Sequence, residues 1–302
     1  MTIPVEFDVD VRNYLCLLDE QGMDVRAWLR EYETLAAALP KEARAGNPRW
    51  QALAQAVVTA ADTRQTTEPS ALDEILTARP AVRQDAYAAP LAPATLHSKI
   101  AGGWRARIAG CILGKPVECL MGEPDSRKTL RAMLATGHAY PLTDFVPEAV
   151  MERYWQARYV QNPPKWYLAG HGRESLREHI AFAPVDDDLN YTVLALELLR
   201  EHGRDFTPDM VLALWTRLLP YDNVYTAERA AYRNYVLGLR FPQTATFENP
   251  YGEWIGAQIR ADAYGYVCPG QPARAARLAW QDAAASHVKN GIYGAMWTAA
   301  AI

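Results

Sequence analysis

PVDDDLNYTVLALELL, residues 184–199, sets three consecutive aspartates, Asp186, Asp187 and Asp188, at the start of an almost wholly apolar run. The run reads as a helix, with the acidic triplet at its first turn. Adjacent carboxylates repel one another. Free N–H groups and the dipole at a helix start relieve part of that repulsion. A hard cation would relieve more, because Mg²⁺ takes oxygen ligands and a rigid helix end can hold them in place. Two readings therefore stand side by side: a metal-binding triplet, or an N-cap with two solvated neighbours.

Outward from this segment the texture is helical throughout. Alanine, leucine and arginine are abundant, and β-branched alternation is scarce. Residues 9–38 read as one or two amphipathic helices, with Val11, Tyr14, Leu15 and Leu18, then Trp28, Leu29, Tyr32 and Leu35, facing inward. Further helices are expected over 48–61, 70–78 (begun by Ser70), 208–219, 225–238 and 271–285, the last with Pro272 near its first turn. The fold class expected is all-α. Residues 62–95, rich in Thr, Pro, Ala and charge, read as a linker or loose arm. A boundary near residue 95 separates an N-terminal helical extension, 1–95, from a second domain, 96–302.

Within that second part, AGGWRARIAGCILGKPVECL (101–120) is small, apolar and glycine-rich. Gly110 and Gly114 fall on one helix face, where missing side chains allow a close approach. Glycine inside a helix costs about 1 kcal/mol against alanine, so close packing is expected to compensate. Pro116 ends or kinks the helix. Glu118 follows at once, either as a working acid or as a surface carboxylate. The aromatic clusters YWQARY and KWYLAGHG could wall a pocket or fill a shell.

Composition narrows the function. The chain has 302 residues, half of them hydrophobic, and a formal net charge of −4. That balance gives no electrostatic footing on nucleic acid or an anionic membrane surface. No run of about 18 apolar residues could span a bilayer, and the opening MTIPVEFDVD has no secretory pattern. The four cysteines, Cys16, Cys111, Cys119 and Cys268, form no CxxC pair, which argues against a zinc site or a disulfide framework. A cytoplasmic location is expected.

Four passages in order resemble the ADP-ribosylglycohydrolase family, which includes the dinitrogenase reductase-activating glycohydrolase. RIAGCILGKPVE (107–118) resembles its opening Gly-rich helix and glutamate. PVDDDLNYT (184–192) resembles its first metal motif, usually Thr-Asp-Asp-Thr. GAQIRADAYGYVCPGQP (256–272) resembles its central Gly-Ala-x-x-Arg segment, and AWQDAAASHVKNGIYGAM (279–296) the following helix with a Ser/Thr-His step.

The resemblance implies an orthogonal helical bundle with two Mg²⁺ ions, Mn²⁺ being an alternative. It implies hydrolysis of the bond between ADP-ribose and a modified side chain. Asp186, Asp187 and Asp188 would be metal ligands. Glu118 and Asp187 would be catalytic, and Gly114, Gly256, Arg260, His287, Gly291 and Gly294 would line the substrate site. The partner would be an ADP-ribosylated protein or a small ADP-ribosyl conjugate. Arg260 could equally pair with Asp262 or Glu253, and Asp282 reads as a structural acid.

Two departures bear on this. Gly110-Cys111 stands where the family has Gly-Asp, and Asp186 stands where it has threonine. No late Asp-x-Asp-Thr follows Asp188; outside the triplet, Asp-x-Asp occurs only at Asp8-Val9-Asp10. GIYGAMWTAAAI would expose Met296, Trp297 and Ile302 at an uncapped helix end. On these grounds the chain is expected to be incomplete, either a truncated gene product or one half of a split protein with a complementing C-terminal half, to lack about half of its metal ligands and to be weak or inactive alone. Two other functions stay open: a non-catalytic binder of ADP-ribose or a partner, and a related N- or O-glycosidase acting on a small nucleoside or sugar conjugate.

Overall fold

The computed structural model describes residues 7–64, 67–80, 91–120, 125–158 and 172–302. Among these residues there are helices and short 3-10 turns and no strand, so the fold is all-α. No described helix is long and apolar enough to cross a membrane. Most of KWYLAGHG, with His171, lies outside the described residues, as does the Cys119 side chain.

The chain divides into two compact units that do not follow the 1–95 and 96–302 segments. One joins residues 1–87 to 194–302; the other is 88–193. The boundary between them falls inside the Asp187–His202 helix.

In the first unit, helices Phe7–Glu20, Arg26–Ala38 and Pro48–Thr63 enclose a core of Val11, Tyr14, Leu15, Leu18, Leu35, Trp50, Leu53 and Val57. Trp50, Leu18 and Val57 are wholly buried; each such side chain contributes about 1.5–3 kcal/mol. The third helix starts where it does because Asn47 accepts the N–H groups of Arg49 and Trp50 and Pro48 needs no partner. Of the expected inward residues Leu29 is the exception. It is 39% exposed, because Trp28 and Tyr32 cover that side of the core.

The expected arm at 62–95 is partly tethered. Ser70 does not cap the following helix, whose N-cap is Ala71. Instead its carbonyl accepts the Trp280 indole N–H at 2.9 Å and its Oγ accepts the Lys289 N–H at 3.1 Å. The Pro69 carbonyl accepts the Tyr293 hydroxyl. These bonds fix residues 69–70 to the last two helices, Pro272–Ala283 and Lys289–Ala301.

Helices Pro208–Leu218 and Thr226–Val236 complete this unit's second half. Small side chains, Ala230, Ala231, Ala275, Ala279, Ala283, Ala295 and Ala299, are buried there and let helix axes come close. Trp297 and Ile302 on the last helix are exposed, and Met296 is half-buried.

The second unit is built on the helix Pro93–Gly114, the 3-10 segment Lys115–Leu120, and helices Ser126–Thr136 and Glu148–Arg158. Its core is Leu120, Met133, Leu134, Val146, Val150, Met151 and Leu176. Pro116 ends the long helix as its missing N–H requires. Gly137 closes the next one, and any Cβ there would press on Val150, 3.2 Å from its Cβ. The two glycines expected to sit in close contact do not. A Cβ on Gly110 or Gly114 would meet nothing within 4 Å among the described residues. Among the described residues, packing against these positions therefore does not offset their helix penalty.

Candidate functional site

The aspartate triplet is fixed by the helix start. The Asp186 carbonyl accepts the N–H groups of Leu189 and Asn190 at 3.2 and 3.0 Å, and its Oδ1 accepts the Asp188 N–H at 3.0 Å. Asp186 thus acts as the cap, with Asp187 and Asp188 in the first turn. The cap of the plainer reading is present, but Asp187 and Asp188 are half-buried rather than solvated.

Facing them is a stripe along the end of the Pro93–Gly114 helix: Arg107, Cys111 and the residue just past its end, Lys115, spaced four apart and so on one face. Lys115 keeps helical register, its N–H bonded to the Cys111 carbonyl. Its ammonium lies 2.7 Å from Asp186 Oδ2 and 3.2 Å from Glu118 Oε2. Arg107 Nη2 lies 3.4 Å from Asp188 Oδ1 and donates to the Asp188 carbonyl at 2.6 Å. One ligand atom each from Cys111, Asp186 and Asp188 falls within 4.8 Å of the others.

Electrostatics follow from this arrangement. Burial pushes the Asp186 carboxyl upward, but the hydrogen bond and charge of Lys115 outweigh it and hold it below its ordinary 3.8. Burial, with the charge and hydrogen bond of Asp186, pushes Asp187 up to about 7. Burial also raises Asp188, to about 6, although Arg107 opposes the rise. Cys111 is driven up to about 12 by burial and by the charges of Asp186 and Asp188. Asp187 and Asp188 therefore keep their protons to higher pH than free carboxyls do, and a bound cation would displace them.

Glu118 joins this cluster through Lys115, with a side chain 46% exposed. Gly114 precedes Lys115 but makes no close approach among the described residues. The other expected substrate residues form a separate group in the first unit. Arg260, 1% exposed, donates to Asp282 and Glu228 and, at 2.8 Å, to Ser286 Oγ. Its guanidinium also lies 4.8 Å from the centre of the Trp215 ring. Two acids other than the expected Asp262 and Glu253, namely Glu228 and Asp282, converge on its buried fork. The Tyr264 hydroxyl donates to Asp282 at 2.7 Å, which makes Asp282 the structural acid expected.

His287 is buried beside them. Its Nδ1 is 2.8 Å from Ser286 Oγ, and its Nε2 is 3.8 Å from Glu228 Oε1. Burial, then the Arg260 charge, drives its pKa well below the usual 6.5, so it is neutral. Burial raises Glu228 despite Arg260.

The glycines here were expected to admit a ligand, but in the structure they make room for the protein itself. A Cβ on Gly256 would strike the Glu228 carboxylate, 2.7 Å from Cδ. One on Gly291 would lie 2.5 Å from the Gly252 carbonyl, and one on Gly294 would lie 3.3 Å from Gln258 Oε1. Sequence reasoning missed Glu228 altogether, since one acid on an alanine-rich helix gives no signal. Arg107 and Lys115 did leave one: a spacing of four around Cys111.

The sequence model of the ADP-ribosylglycohydrolase family matches residues 92–302, more than half of the chain. No curated protein and no solved structure matches it.

Proposed function

The chain belongs to the ADP-ribosylglycohydrolase family, and from that premise we propose that it hydrolyses the bond joining C1″ of ADP-ribose to a nitrogen or oxygen of a modified side chain. The observation that carries this reading is the convergence of Glu118 and Asp186 on one ammonium, that of Lys115. It sets the acid that would serve the scissile bond beside the acids that would hold a cation.

The donor set fits a divalent ion. Three clustered carboxylates, two of them raised toward neutrality by burial and mutual repulsion, form a site that a cation would stabilise. Asp186, Asp187 and Asp188 would hold it, and the family's ions are Mg²⁺ or Mn²⁺. When bound, the ion supplies Lewis-acid orientation of ribose hydroxyls and of the attacking water.

The chain's own residues do the rest. Breaking the glycosidic bond builds positive charge on the ribose ring, which nearby carboxylates stabilise. Glu118, on the short 3-10 segment and open to solvent, takes a proton from water or returns one to the leaving atom. Lys115 holds that carboxylate toward the triplet.

A second reading, a binder of ADP-ribose or a partner without catalysis, is favoured by Arg107 and Lys115, which already neutralise two of the three aspartates. The deciding experiment is ADP-ribose release from an arginine-ADP-ribosylated protein and from a panel of small conjugates, with and without Mg²⁺ or Mn²⁺. Cation-dependent release that disappears in the Asp187→Ala, Asp188→Ala variant supports the hydrolase. Absence of release from every substrate under every condition overturns it.

A further inference from the structure

We propose that Cys111 supplies a thiolate to the cation held by Asp186 and Asp188, so that this chain takes a thiophilic divalent ion (Co²⁺ or Zn²⁺) in preference to Mg²⁺. This rests on the cation site proposed above and names the ion that site takes.

The geometry comes first. The thiol stands on helix Pro93–Gly114 and the two carboxylates at the cap and first turn of helix Asp187–His202, yet their ligand atoms lie within 4.8 Å of one another. An ion with sulfur at about 2.3 Å and oxygens at about 2.1 Å sets its donors about 3.5 Å apart. A closure of about one ångström thus converts the observed cluster into a ligand set. Helical backbone on both sides holds the donors near that arrangement before any ion arrives.

The donor chemistry comes second. Mg²⁺ is bound by oxygen and gains little from sulfur, whereas thiolate selects softer ions. The flanking cations sharpen this difference. Arg107 and Lys115 oppose the purely electrostatic attraction that Mg²⁺ depends on, and an arriving ion must separate Lys115 from Asp186. A metal–thiolate bond has a covalent share that those charges weaken less. Binding is a simple exchange: the ion takes the sulfur lone pair, the thiol proton leaves to solvent, and nothing is oxidised or reduced.

The full chain is titrated with Co²⁺ and followed by its near-ultraviolet thiolate-to-cobalt absorption. The same titration is run on Cys111→Ser, with far-ultraviolet circular dichroism as the folding control. The expected result is a one-thiolate band in the parent chain that Cys111→Ser loses. That variant also binds Zn²⁺ at least tenfold more weakly, with Mg²⁺ affinity unchanged. Should the variant misfold, Zn²⁺ protection of Cys111 from alkylation, mapped by peptide mass in the parent chain, gives the same answer; Cys16, exposed, is the unprotected reference. Co²⁺ binding without the band, a band that survives in Cys111→Ser, or unprotected Cys111 overturns the thiolate and leaves the hydrolase reading standing. Failure of the chain to bind any divalent ion overturns both.

Discussion

The Lys115 ammonium lies 2.7 Å from the Asp186 carboxylate, on the helix face that also carries Arg107 and Cys111. A protein cation thus sits where a divalent ion would be held, and burial does not loosen it, because Asp186 raises the Lys115 pKa. Replacing the ammonium by a similar apolar chain, Lys115→Met, removes a like charge from beside the incoming ion. Affinity for Mn²⁺ should rise by about tenfold, the factor that ~1.4 kcal/mol represents, in calorimetric titration. A fall in affinity would instead mean that Lys115 orients Asp186 for the ion.

Asp187 separates stability from function. Its carboxyl is raised from 3.8 to about 7 by burial and by Asp186. Between these values the folded chain holds a proton that the unfolded chain has released. The stabilising contribution is therefore complete at low pH and lost as pH rises through about 7. With EDTA present, the parent chain's Tm should fall as pH is raised from about 5 to about 8. Asp187→Asn should flatten that fall and raise Tm at pH 8, while the Tm increase produced by Mn²⁺ vanishes. A steeper fall in the variant would contradict the repulsion described for the triplet.

Arg260 anchors the buried acids of the first unit. Truncation in Arg260→Ala leaves Glu228 and Asp282 without their shared cation in a site closed to water. Breaking such a pair by removing one partner costs about 3–5 kcal/mol. Urea denaturation should show a loss of that order, with Arg260→Lys intermediate, since one ammonium cannot reproduce a fork bonded to Glu228, Asp282 and Ser286.

Two glycines give opposite expectations. Gly110→Ala places a methyl group where nothing among the described residues lies within 4 Å and removes a helix penalty, so stability should rise by up to about 1 kcal/mol. Gly256→Ala drives a methyl group into the Glu228 carboxylate and should cost about 1–3 kcal/mol. Thermal melts of the two variants compare them directly.

The helices were legible because local chemistry marks them. Asn47-Pro48 and Thr207-Pro208 each combine a capping side chain with a proline that needs no donor partner, and the apolar spacing over 11–18 matches the buried face. The aspartate triplet was legible for the same reason: it is one contiguous segment at a helix start. Gly110 and Gly114 misled, since spacing shows which face they share and not whether anything packs on it. Leu29 misled similarly, as helical period alone does not tell which edge of an apolar stripe larger neighbours will cover. The Arg260 network was out of reach. Glu228, Asp282 and Ser286 meet Arg260 only through tertiary packing, across sequence separations of 32, 22 and 26 residues.

The bonds from Pro69 and Ser70 to Tyr293, Trp280 and Lys289 join positions 224, 210 and 219 residues apart. On a ribosome working from the N-terminus, residues 69–70 emerge long before the partners they require exist. Helices Phe7–Glu20, Arg26–Ala38 and Pro48–Thr63 can gather around Trp50 at once. The seam that binds them to helices Pro272–Ala283 and Lys289–Ala301 must wait until Trp280, Lys289 and Tyr293 are made, with residues 88–193 made in between. Such distant closure slows folding and prolongs the exposure of unpaired surface. Nascent chains of this protein should therefore depend on chaperones most in that interval, and weakening the seam should reduce yield in cells more than it reduces the stability of the finished molecule.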